Sequence, residues 1–87
     1  MTTLKPELAA TLMALAECCD YSLDAHVPVE FVRKKMPPYL EGEVNKLLRK
    51  LRAQQYAQQH PTRGPVTWQL TRLGLNEARS ISSSRLV

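Results

Sequence analysis

Asn45, Lys46 and Arg49 stand within five residues of one another, and each has a side chain suited to contact with nucleic acid. Lysine and arginine pair with phosphates and guanine edges, and asparagine pairs with adenine. At helical spacing, Lys46, Arg49 and Ala53 fall on one side of this stretch, with Asn45 and Lys50 at its flanks. Val44, Leu47, Leu48 and Leu51 fall on the other side. One segment therefore carries an apolar stripe that can anchor a core and a basic face that can meet an anion. Arg52, Arg63 and the run Arg33-Lys34-Lys35 supply further cations.

Other chemistries find little support. The chain has no glycine-rich phosphate loop, no Ser-His-Asp order with helpful context and no paired metal-ligand motif, so no enzyme is expected. Cys18 and Cys19 are neighbours, which on a helix point in different directions and do not bridge easily. That excludes a disulfide framework and suits a reducing cytoplasm. A Cys-Cys-His metal site with His26 has the wrong spacing for the usual zinc ligands and lacks a fourth. His60 is expected to face solvent. Trp68 alternates with polar neighbours and reads as core rather than as a stacking platform, which leaves Tyr39 as the better exposed aromatic. No cofactor is implied.

The elements that must position these residues are legible in order. Eighty-seven residues make one domain, expected to be ordered over about 6–80 with a loose Ser-rich tail at 81–87. Met1 to Lys5 should fray. Pro6 and Glu7 suit a first helical turn. Leu8, Leu12, Leu15 and Cys19 then follow at spacings of four, three and four, one buried stripe of a helix ending near Asp20. A second helix is expected from Val27, with Pro28 at its first position, Val29, Val32 and Met36 inward and Phe31 at the edge. Pro37-Pro38 ends it, and Leu40 plugs the turn that follows. The third helix should run from about Glu41 to about Gln55. Tyr56 to His60 and the alternating Val66, Trp68, Leu70 predict two strands of a hairpin, with Arg63 near its tip. Thr71 caps a last helix carrying Leu73, Leu75, Ala78 and Ile81. Leu73 and Leu75 point to different sides, so one should be exposed.

Charge is distributed unevenly within the net +4. Residues 1–32 hold one basic and five acidic side chains, and residues 33–87 hold eleven basic and three acidic. A basic C-terminal two thirds suits a polyanionic partner. No run approaches the ~20 apolar residues of a membrane span. Glu7 and Glu17 argue against a signal peptide at Leu8 to Cys19.

In the order of these elements, and in Val44 to Leu51, the hairpin and Trp68-Gln69-Leu70-Thr71-Arg72-Leu73-Gly74, the chain resembles the winged helix-turn-helix superfamily. It is also loosely similar to winged helices of the dissimilatory sulfite reductase D type and of RIO-kinase N-terminal domains. The resemblance implies an α+β fold with a three-helix core, a hairpin wing and a short final helix. It implies a third helix in the major groove of double-stranded DNA, with Asn45, Lys46 and Arg49 facing the bases and Arg63 on the wing. Lys50, Arg52, Arg33 and Lys34 become candidates for backbone contact. Glu41 and Glu43 depart from the common pattern, and so does Gln55, where a glycine often follows the recognition helix. The leading expectation is a cytoplasmic DNA-binding transcriptional regulator, with a homodimer through the first and last helices. The alternative is a protein-interaction or accessory module of the same fold. RNA contact has less support, because clustered exposed aromatics are missing.

Overall fold

A computed structural model describes residues 4–60 and 63–85, the side chain of Arg85 excepted. The elements run α1 (Pro6–Cys18), β1 (Val27–Pro28), α2 (Val29–Lys34), a 3-10 turn (Pro38–Glu43), α3 (Val44–Ala53), β2 (Ala57–His60), β3 (Thr67–Leu70) and α4 (Arg72–Arg85). Pro61 and Thr62, between the two expected strands, and residues 1–3, 86 and 87, lie outside the described residues.

Helix α1 is the hub and packs against α2, α3 and α4. Leu8, Leu12, Leu15 and Cys19 are all buried, as their spacing requires. Leu4, expected in a frayed end, instead joins the core. The helix ends with Asp20 and Tyr21 both at φ 54°, which turns the Tyr21 amide back onto the Ala16 carbonyl at 2.8 Å. That closes a Schellman-type cap.

Two elements start elsewhere than spacing predicts. Val27-Pro28 does not begin α2 but forms β1, with Val27 opposite Trp68 and Pro28 opposite Thr67. Pro28 is thus the residue before α2, extended at φ −66° and ψ 157°. Proline is tolerated there because β1 is an edge strand. Likewise, α3 begins at Val44 rather than near Glu41, because residues 38–43 wind into the 3-10 turn. Its tighter winding lets Leu40 reach the core while Glu41, Gly42 and Glu43 stay in water. α2 stops at Lys34, short of the expected Pro37-Pro38 stop; Val32 within it and Met36 just beyond it are buried, whereas Phe31 is 55% exposed.

The sheet has order β1-β3-β2, with antiparallel pairing throughout. Side chains alternate across it. Val27, Ala57, Trp68 and Leu70 point to the helices and are buried. Val66 does not share that row. It is exposed, and the strand begins one residue later at Thr67, which is buried on the opposite face.

Thr71 caps α4 as expected, its hydroxyl accepting the Gly74 amide at 3.0 Å. The same hydroxyl donates to the Gln55 carbonyl at 2.5 Å, so it locks the end of α3 to the start of α4. Gly74 sits directly on the Tyr56 carbonyl: a Cβ there would lie 1.8 Å from that oxygen. Of the two leucines at issue, Leu75 is buried and Leu73 is 52% exposed. The helix continues through Arg85, where a loose tail was expected, with Ile81 buried against the core. Four helices with a small three-stranded sheet, β2 and β3 forming the wing hairpin, make this α+β chain a winged helix.

Candidate nucleic-acid interface

Helix α3 buries Val44, Leu47, Leu48 and Leu51, which fixes how its remaining side chains face. Asn45, Lys46, Arg49, Lys50, Arg52 and Ala53 are all exposed. They divide into two strips. Asn45, Arg49 and Arg52, at i, i+4 and i+7, follow the side of α3 nearest the hairpin. Arg52 marks that side, because its guanidinium donates to Gln59 Oε1 of β2 at 2.7 Å. Lys46 and Lys50, also four apart, follow the opposite side. They line a depression of about 340 Å3 with Pro6, Glu7, Tyr39 and Glu43.

The two strips differ electrostatically. The lysine strip faces the carboxylates of Glu7 and Glu43, so its positive potential is locally offset. α3 itself carries no acidic side chain, and the Asn45–Arg49–Arg52 strip leads toward the wing. Arg63 on the wing is exposed. Lys34 lies apart from both strips. It lines a depression with Glu17, Cys18, Phe31 and Lys35, at the C-terminal end of α1, and its ammonium is 6.0 Å from the Phe31 ring centroid. Lys46 and Lys50 flank the N-terminal end of the same helix, about 20 Å away along 13 residues. Arg33 is half-buried beside Lys34 in the last turn of α2.

Gln55 ends α3 in the left-handed region at φ 66°, the position glycine commonly takes. The Tyr56 amide then reaches the Leu51 carbonyl at 2.9 Å. The cap geometry is present without the glycine. It aims the chain from α3 directly into β2, which sets the wing relative to the α3 face.

On the sheet's outer face lies a cluster that residue spacing did not point to. The His26 and His60 rings stack with centroids 4.3 Å apart and planes 20° from parallel. Beneath them, the Thr67 hydroxyl donates to the His60 carbonyl and lies 3.0 Å from His26 Nδ1. Forty-one positions separate His26 from Thr67, so no local pattern reveals the contact. Tyr39 is 81% exposed and Trp68 buried, as expected of each.

The thiols are not poised for chemistry. Burial lifts the Cys19 thiol to about 11; Cys18 adds to the rise, and a backbone hydrogen bond with Leu70 opposes it. Burial also raises the Cys18 thiol, with Lys35 opposing and Glu17 adding. Among the described residues, no three of His, Cys, Asp and Glu are grouped to hold a metal ion, and no helix is long and apolar enough to cross a membrane.

No protein-family model and no curated protein matches the chain. Among solved structures, a single-residue variant of ZitR from Lactococcus lactis aligns with 95% of this chain at a TM-score of 0.68 and 21% sequence identity. The chain spans 55% of that structure's length. At this identity the likeness establishes the winged helix fold.

Proposed function

We propose that this chain binds double-stranded DNA as a transcriptional regulator, with α3 in the major groove and the β2–β3 wing on the backbone or in the minor groove. The observation that carries this is the exposed Asn45–Arg49–Arg52 strip, which runs toward a wing bearing Arg63. Asn45, Lys46 and Arg49 would meet base edges. Lys50, Arg52 and Arg63 would meet phosphates, which contribute most of the affinity. Glu41 and Glu43, exposed at the entrance to α3, would disfavour phosphates there and turn the contact toward the wing side. A twofold dimer would present two copies of α3 to successive major grooves.

Amide chemical-shift mapping of the labelled protein with a random-sequence duplex tests the assignment. Shifts are expected to concentrate at Asn45, Lys46, Arg49 and Arg63. Shifts concentrated instead around Phe31 and Lys34, at the other end of α1, would overturn it.

A further inference from the structure

His60 is the last residue of β2 and Thr67 the first of β3, so this pair closes the base of the wing. His26, just before β1, reaches over the same point from the other edge of the sheet. The single Thr67 hydroxyl proton is committed to the His60 carbonyl at 3.0 Å. The 3.0 Å contact with His26 therefore requires the proton on Nδ1 of that ring. Neutral and charged His26 can both make this bond. The stack is different, because charging both rings puts two imidazoliums with centroids 4.3 Å apart.

We propose that His26 is a positioning residue for the wing, holding it through the Thr67 hydroxyl and the His60 stack, and that protonating both rings releases it. The sheet neighbours of the pair carry no charge of their own. On the sheet's outer face β1 contributes Pro28, β3 Thr67 and Gln69, and β2 Gln58, none of which ionises. The charged side chains nearest along the chain are Asp24, Glu30 and Arg63, all exposed to water. The consequence for binding rests on the DNA-contact reading; the clasp itself does not.

The test is the heteronuclear NOE of the Arg63, Gly64 and Val66 amides in the free full-length chain at pH 7.5 and pH 5.5, an interval that spans ordinary histidine titration. Three proteins are compared: wild type, His26→Ala and His60→Phe. The phenylalanine keeps a stacking ring and the backbone carbonyl but carries no charge. The wild-type wing should be ordered at pH 7.5 and lose order at pH 5.5. His60→Phe should stay ordered at both values, and His26→Ala should be loose at both. A wild-type wing unchanged by pH, or a His60→Phe wing that responds as wild type does, overturns the proposal. Should His26→Ala not fold, that second comparison still decides. Anisotropy on a random-sequence duplex then reads the consequence, a severalfold weaker affinity for His26→Ala at pH 7.5. A clasp that responds in a protein that binds no duplex would sink the DNA reading and leave the clasp standing. Firm binding with a wing indifferent to His26 would do the reverse.

Discussion

Replacing Gly74 with alanine should destabilise the fold, although alanine is the better helix former. In an exposed helix the change would stabilise by about 1 kcal/mol. Here the new Cβ would lie 1.8 Å from the Tyr56 carbonyl oxygen and 2.8 Å from its carbon. Contacts under 3.0 Å are essentially never made by real Cβ atoms, and both neighbours are backbone, so α4 and the α3–β2 junction must part by about 1.2 Å. Overpacking of this kind costs about 1–3 kcal/mol. The movement also strains the Thr71 bonds to Gly74 and Gln55 and the 3.3 Å bond from the Thr71 amide to Tyr56, each worth about 1 kcal/mol net. After subtracting the propensity gain, a loss of about 2–4 kcal/mol remains. In a domain of this size that lowers Tm by roughly 10–25 °C. Gly42→Ala is the internal control, because nothing lies within 4 Å of its Cβ and its φ is not positive. It should be neutral or stabilise by up to about 1 kcal/mol. Urea and thermal melts of both variants decide the matter. A Gly74→Ala protein as stable as wild type would refute the account of how α4 docks.

Two further outcomes follow from local geometry. Gln55→Gly should stabilise by about 0.5–1 kcal/mol in urea melts, since an L-residue in the left-handed region costs about 1–2 kcal/mol and glycine's greater unfolded freedom returns part of that; unchanged or lower stability would deny the strain at φ 66°. Cys19 sets an alkaline limit: its thiol is raised to about 11 in the fold, so its contribution is intact below the ordinary thiol range and is lost as pH rises toward 11. The urea midpoint should therefore fall above about pH 9 in wild type and fall less in Cys19→Ala; parallel pH curves for the two proteins would contradict this.

Much of the fold is written in short-range pattern. The α1 and α3 stripes, the Leu40 plug, the Trp68–Leu70 alternation and the Thr71 cap each need only a few neighbouring residues, and each is where spacing places it. Apart from the local 3-10 winding that delays α3, the failures share a cause. β1 is two residues long and exists only because Trp68 and Thr67 pair with it from forty positions away. The C-terminal serines are poor helix formers, yet buried Ile81 carries the helix past them. Val66 and Thr67 exchange their expected environments because the histidine stack covers the threonine, again a distant contact. For the interface, spacing identifies which α3 residues are exposed. It cannot show that the acidic neighbours of Lys46 and Lys50 come from α1 and the 3-10 turn, nor that Arg52 is tied to β2.

The central claim is that the outer face of α3 meets DNA. Fluorescence anisotropy with a random-sequence duplex, titrated across salt for wild type and for Lys50→Ala/Arg52→Ala, the two phosphate-facing cations of α3, tests it most directly. Binding should weaken log-linearly with salt, and the double variant should bind more weakly with a slope shallower by roughly 1–2, about 0.9 for each phosphate neutralisation lost. Wild-type protein that fails to bind duplex even at low salt, or a double variant with unchanged affinity and slope, would contradict the claim.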